Sequence, residues 1–303
     1  MIRMRTCARL LTFCVLGAGM VAGAQDALEP IHFHHVRLNV VDPGETVKFY
    51  SKNFGAVPVN YRNVSQGLFT EQSFILLNKV DEPAPNGPRT ALSHIGWAST
   101  NGQGTYDWLK SQGVEFQTDI ASLGGNYGMY AYGPDKELVE VWTGSKNHRF
   151  DHIHLWATNV EATCNWFRDH FGVNPRMMPK PTMVHRESIA AIWMAFMQID
   201  NLNLVVFGKP DFDSIWWPGS NYKPEDAPPD FEPTKGTVVN HLAFSYRDID
   251  PEFERLKEAG VEIVEPISEK AGVGHRSFFV MAPDKLLIEV VEARPIPEGL
   301  WDE

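Results

Sequence analysis

Residues 34–40 read HHVRLNV, and three later stretches share their form: SHIGWAS from Ser93, DHIHLWA from Asp151 and NHLAFSY from Asn240. Each is a short run of apolar and β-favouring residues with a histidine near its start, which is the pattern of a strand. Superposing them aligns His35, His94, His152 and His241, at separations of 59, 58 and 89 residues. A helical pattern follows each strand: TVKFYSKNFG, TYDWLKSQGVEF, TCNWFRDHFG and PEFERLKEAGVEI. The closing glycine comes 20 residues after the histidine in the first and third units (Gly55, Gly172) and 19 after it in the second and fourth (Gly113, Gly260).

The second and fourth units also end alike, on YGPDKELVEVW and MAPDKLLIEVV. Glu140 lies 46 residues after His94 and Glu289 lies 48 after His241. The order is therefore A-B-A-B, a duplicated pair of modules, and internal similarity of this length outweighs any single motif. Each module reads as one strand, one helix and three further strands. A lone module cannot cover its own sheet face. The expected fold class is α+β, with four βαβββ modules pairing into two curved-sheet cups and helices outside. The halves span residues 31–143 and 150–293. The longer connection between modules three and four, residues 208–237, is rich in Pro and aromatics and reads as an extended linker. Its Trp216 and Trp217 are expected either against a neighbouring module or over a cup mouth.

Imidazole and carboxylate side chains suit Fe(II), Mn(II), Ni(II), Zn(II) or Co(II). Modules two and four supply His94 with Glu140 and His241 with Glu289; modules one and three supply His35 and His152. In module three, Val205 aligns with the glutamate, and module one has only the apolar FILL there. An unpaired carboxylate within a strand such as LLIEVVE is costly to bury, which argues for ligand roles. Adjacent pairing of modules would give His35, His94, Glu140 and His152, His241, Glu289. Outer-with-outer pairing would give His35, His241, Glu289 and His152, His94, Glu140. Either yields two sets of two histidines and one carboxylate with open positions, and the sequence leaves both open.

These features resemble the vicinal oxygen chelate superfamily, which includes glyoxalase I, extradiol dioxygenases and bleomycin- and fosfomycin-resistance proteins. The resemblance rests on the repeated histidine strand, the FY-x-x-x-FG helix end at Phe49 to Gly55, and the G-P-D-K-x-L-x-E-V ending around Glu140. It covers about residues 31–293. It implies the cup fold and the metal position, while one cup serves several chemistries in that superfamily. The ligand count is similar to extradiol dioxygenases, which implies Fe(II) as the favoured metal, O2 as co-substrate and a catechol-like or enediol-like small molecule. Glyoxalase I looks like a four-ligand site with a further carboxylate, and a glyoxalase-like lyase or isomerase is the alternative. A non-catalytic small-molecule binding protein is the third reading.

The dioxygenase resemblance also implies a tyrosine ten residues before the glutamate. Tyr130 stands there before Glu140, whereas Phe279 stands there before Glu289. The acid–base histidine of that family would be His185 or His154. Arg37, Tyr127 and His275 are further candidates for the cup lining, and Arg37, two residues after His35, shares its face and could hold a carboxylate or phosphate.

The 303 residues carry a formal net charge of -11 and 43% hydrophobic residues, which permits large cores and disfavours a phosphate-backbone partner. Residues 1–24 place Arg3, Arg5 and Arg9 before an apolar run from Leu10 to Val21 and a small Ala22-Gly23-Ala24 end, the pattern of a cleaved secretory signal. Export, to a periplasm or beyond, is the expectation, with no stable membrane span after cleavage and no stated oligomer. Of three cysteines only Cys164 lies outside that segment, so no internal disulfide is expected in the mature chain.

Overall fold

The structure is a computed structural model that describes residues 29–85, 90–123, 126–143, 145–178, 194–208, 230–269 and 275–294. The expected signal segment, His185, Trp216 and Trp217 lie outside the described residues. Module one runs β1 (His32–Val40), α1 (Pro43–Phe54), β2 (Val57–Tyr61), β3 (Ser65–Phe69) and β4 (Phe74–Lys79). Module two runs β5 (Leu92–Ser99), α2 (Gly102–Ser111), β6 (Phe116–Leu123), β7 (Asn126–Tyr132) and β8 (Leu138–Thr143). Module three runs β9 (Arg149–Ala157), α3 (Val160–Phe171), β10 (Pro175–Met177), β11 (Met194–Ile199) and β12 (Leu202–Gly208). Module four runs β13 (Val239–Tyr246), α4 (Asp250–Glu258), β14 (Glu262–Glu269), β15 (Arg276–Ala282) and β16 (Leu286–Glu292). The expected βαβββ order holds in all four.

Local signals account for the helices. Asp42 caps α1 by accepting from the Gly44 and Glu45 amides, with Pro43 in the first turn, and Asn101 and Asn159 cap α2 and α3. The recurring closing glycines Gly55, Gly113, Gly172 and Gly260 all take φ between 70° and 77°, the left-handed region that ends a helix without a Cβ penalty.

The four modules form two eight-stranded sheets, ordered β14-β15-β16-β13-β1-β4-β3-β2 and β10-β11-β12-β9-β5-β8-β7-β6. Module one thus joins module four, and module two joins module three. The halves 31–143 and 150–293 each contribute one module to each sheet. At the two seams β1 runs antiparallel to β13, and β5 antiparallel to β9.

Alternation along the first strands explains how one sheet serves a core and a cup. Residues one and three places after each histidine are Val36 and Leu38, Ile95 and Trp97, Ile153 and Leu155, Leu242 and Phe244, and all join a single apolar cluster. The histidines point to the opposite face. Both faces are covered, so β1 and β5 are buried almost from end to end rather than alternating with solvent.

The helical layer ties each half together. Tyr50 of α1 stacks on Trp97 of β5 at 5.4 Å and 21°, and Phe171 of α3 meets Phe244 of β13 edge-on at 5.2 Å. The shared Pro-Asp-Lys turn does the same work twice. Asp135 accepts from the Val41 amide, and Asp284 accepts from the Thr158 amide and hydroxyl. Each aspartate therefore pins the end of the first strand in the preceding module.

One carboxyl in this layer is costly. Glu137 is fully buried and accepts 2.6 Å from the Tyr50 hydroxyl. Burial pushes its pKa up to about 7 despite that bond. A raised folded-state value means that the folded protein keeps the proton longer, so this group's contribution is full below the ordinary carboxylate range and is lost as pH rises through about 7. The stability difference between wild type and Glu137→Gln should change by on the order of 3 kcal/mol between about pH 4.5 and pH 7.5. Denaturant titrations of both proteins across that window check it; parallel pH profiles would rule it out.

Candidate metal centres

Outer-with-outer pairing brings together His35, His241 and Glu289 in one cup, and His94, His152 and Glu140 in the other. We call these the outer and inner cups. In the outer cup His241 Nε2 lies 3.0 Å and His35 Nε2 3.2 Å from the same Glu289 Oε2. In the inner cup His94 Nε2 and His152 Nε2 each lie 2.9 Å from Glu140 Oε2. All six side chains are buried.

The residue before each histidine orients its ring. His34 Nδ1 is 2.7 Å from His35 Nδ1, Ser93 Oγ 3.0 Å from His94 Nδ1, Asp151 Oδ2 3.4 Å from His152 Nδ1, and Asn240 Oδ1 2.6 Å from His241 Nδ1. Four times over, Nδ1 is engaged by a neighbour and Nε2 is presented to the cup. This is the arrangement by which an outer hydrogen bond fixes the ring of a ligating histidine.

Protonation suits cation binding. Burial drives the His35 pKa down to about 3 and lowers those of His94 and His241, so these rings are neutral near pH 7. Burial alone would raise both carboxyls. Bonds from His152 and His94 hold Glu140 below the usual range, and bonds from His241 and His275, with His35 close by, do so for Glu289. His152 differs: burial opposes its charge, but bonds to Asp151 and Glu140 win and raise it to about 9. His35 Nε2 is buried without a hydrogen-bond partner although a carboxylate oxygen sits 3.2 Å away. An anionic oxygen flanked by two imidazole nitrogens, one of them without a hydrogen-bond partner among the described residues, fits a divalent ion of the borderline series.

The strand register shows where a fourth carboxylate is missing. Glu140 pairs with Gly96 and Glu289 with Ala243, each two residues past a histidine. The matching pairs in modules one and three are Arg37 with Leu76 and His154 with Val205. The alignment of Val205 with Glu140 is thus met in space. Arg37 and His154 are equivalent positions, one in each cup.

His154 is buried beside the inner set, with Nδ1 3.2 Å from His94 Nε2 and Nε2 without a partner. Burial puts its pKa well below the ordinary value, with His94 adding to the effect. By separation alone His94, Glu140 and His154 form the tighter trio, their ligand atoms all within 4.8 Å. The repeat favours His152 as ligand, because His152 matches His35 and its ring is oriented by its preceding neighbour. His154 then stands beside the site. Tyr130 pairs with Glu140 across β7 and β8, and its ring lies 5.1 Å from that of His94. Phe279 holds the same place in the outer cup, 5.2 Å from His241.

Other expected residues divide. His275 joins the outer cup through a 3.1 Å contact from Nε2 to Glu289 Oε1. Tyr127 does not join the inner cup; it is exposed, and its neighbours are Gly102 and Thr143. Strand alternation turns it away from the face that carries Tyr130. Trp97 and Met129 belong to the helical core, whereas Trp156 lies 5.0 Å from His154 on an apolar wall with Phe207 and Tyr130. Cys164 is a buried core residue whose thiol burial lifts to about 11. Two residues escaped the sequence reading: His34, and Tyr61, whose hydroxyl lies 3.1 Å from His34 Nε2. The doubled histidine was a usable signal; nothing in the spacing marked Tyr61.

Residues 32–141 and 149–290 match the family described as Glyoxalase/Bleomycin resistance protein/Dioxygenase superfamily. Glyoxalase I of Saccharomyces cerevisiae is 23% identical over 183 residues, which cover 46% of this chain and 56% of the yeast protein, little more than half its length. The crystal structure of glyoxalase I from Zea mays superposes with a TM-score of 0.62 at 15% identity, covering 86% of this chain and 92% of the maize one. A provisionally named dioxygenase of Bacillus subtilis superposes with a TM-score of 0.58 at 13% identity, covering 88% of this chain and 86% of its own. At such identities the two structures speak for the fold. No helix among the described residues is long and apolar enough to cross a membrane.

Proposed function

Given that the chain belongs to the glyoxalase/bleomycin resistance protein/dioxygenase superfamily, we propose that it is an exported metal-dependent oxygenase whose inner cup opens the ring of a catechol-like substrate. The observation that carries this reading is the ligand set. Two histidines meet one glutamate, and Val205 occupies the place where a second carboxylate would stand. Such a triad leaves adjacent positions for two substrate oxygens and a further small ligand. A divalent ion held by His94, His152 and Glu140 would supply Lewis acidity toward the two oxygens and, as Fe(II), redox reactivity toward O2.

The protein's own groups do the rest. His154, buried and neutral beside His94, would serve as the group that takes a substrate hydroxyl proton and returns it later. Tyr130 borders the ligand His94, and Trp156 and Phe207 wall the site with aromatic surface suited to a planar ring. In the balanced reaction one O2 is consumed per catechol. The carbon–carbon bond beside the diol breaks, and both oxygen atoms enter the product.

A glyoxalase-like isomerisation is the second reading, favoured by the yeast relative. It consumes no O2 and would place His154 as the base that moves a carbon-bound proton. Oxygen uptake by the Fe(II)-loaded mature chain on a panel of substituted catechols separates the two, run beside hemithioacetal isomerisation with Ni(II) or Zn(II). His154→Asn should keep its metal and lose about 10²–10⁴-fold in kcat in whichever assay responds. Stoichiometric O2 uptake carries the oxygenase reading; isomerisation without it overturns that reading.

A further inference from the structure

We propose that the outer cup binds a different ligand class from the inner one: a small metal-chelating molecule that also carries a terminal oxyanion, held by Arg37. This inference rests on the reading of both cups as metal sites, not on the inner cup's reaction.

Arg37 and His154 sit at equivalent places, two residues past the ligands His35 and His152 and paired across the seam with His241 and His94. One cup therefore presents a fixed cation where the other presents a neutral ring. Arg37 is 8% exposed, yet its one side-chain hydrogen bond among the described residues is Nη1 to Ser65 Oγ, at 3.1 Å. It makes no ion pair within 4.0 Å among them, although the Glu289 carboxylate attracts it from farther off, and its neighbour on β4 is Leu76. A guanidinium has five N–H donors and keeps its charge in proteins. Burying one without a carboxylate partner is expensive unless something else completes it.

The surroundings show where that partner would lie. Arg37 lines a cleft of about 500 Å³ together with His241, Glu289, Ser65, Lys79 and Lys235. The ligand carboxylate and the unpaired guanidinium thus open into one volume, large enough for a small molecule. Lys235 is already paired with Glu265, at 3.0 Å. Without that pair, Arg37 and Lys79 face the single charge of Glu289, and a divalent ion would leave the cleft strongly positive. A ligand with a chelating end and a separate anionic end neutralises it, and a planar fork suits carboxylate or phosphate. The aromatic wall of the inner cup has no counterpart for such a group.

Three probes share one chelating α-hydroxy acid end. Lactate adds a methyl group, malate a carboxylate, and 3-phosphoglycerate a phosphate. Calorimetric titration of the Mn(II)-loaded protein should show malate or 3-phosphoglycerate binding at least tenfold tighter than lactate. The tighter of the two assigns the head group. Arg37→Gln should bring the ratio to lactate within about twofold. Arg37→Lys, which keeps the charge and loses the fork, should retain part of it. Metal content and thermal midpoint are measured on every sample. Equal binding by wild type, or a ratio that survives in folded Arg37→Gln, overturns the proposal. An Arg37-dependent ratio with neither O2 uptake nor isomerisation sinks the reading of the inner cup and leaves this one standing. Turnover without the ratio does the reverse.

Discussion

Replacing Glu140 by valine should remove one metal ion per chain and leave the other bound. Module three already carries valine at the equivalent place, Val205 beside His154, so the side chain suits the strand. The loss would be local and severe. His94 Nε2 and His152 Nε2 both converge on Glu140 Oε2, and two imidazoles without a carboxylate hold a divalent ion weakly. The matching change in the outer cup is Glu289→Leu, which copies Leu76 of module one. Each substitution should weaken its own site at least 100-fold, beyond the roughly 10–100-fold expected for an outer-shell partner. Elemental analysis should read two ions per wild-type chain, one in each single variant and none in the double. Metal content unchanged in either single variant would refute the assignment of that cup.

The second large effect comes from a residue with no side chain. A Cβ on Gly96 would fall 2.1 Å from His152 Cε1 and 2.2 Å from His152 Nε2. These contacts are far too short to survive, and the ring rather than the strand must give way, because Gly96 is locked between β8 and β9. Gly96→Ala is therefore expected to turn His152 off Glu140. It should cost the inner cup its ion as fully as the loss of the glutamate does, while the outer cup keeps its own. Ala243 stands at the equivalent place facing His35, so the outer cup already tolerates the methyl group that the inner one excludes. A variant that binds two ions with wild-type affinity would show that His152 is not a ligand.

The module pattern was legible because it depends on local chemistry. Helix caps, closing glycines and the alternation of apolar and ligating residues are written within about twenty residues of each histidine. The six candidate ligands followed from alignment of the repeats. Module pairing was not legible, because every first strand carries the same signals and each could meet either of two partners. What decides it is packing far apart in sequence: Tyr50 on Trp97, and Phe171 on Phe244. Those contacts put the helices of each half on one layer and send its sheets outward to different partners. The difference between the cups was half visible. Arg37 and His154 were both noted in the sequence, but their equivalence appears only when the seams are laid side by side.

The two sheets are not finished at the same time during synthesis. The inner cup has all its strands once the chain has reached Gly208, whereas β1, made first, must wait for β13, which begins at Val239. Through that interval the long inner edge of β1 is open, and an open edge is a template for the wrong partner. The inner cup is thus an early, self-contained product and the outer cup a late closure. A chain that ends after Gly208 would hold a complete set of inner-cup strands and a bare β1 prone to pair with a neighbour's.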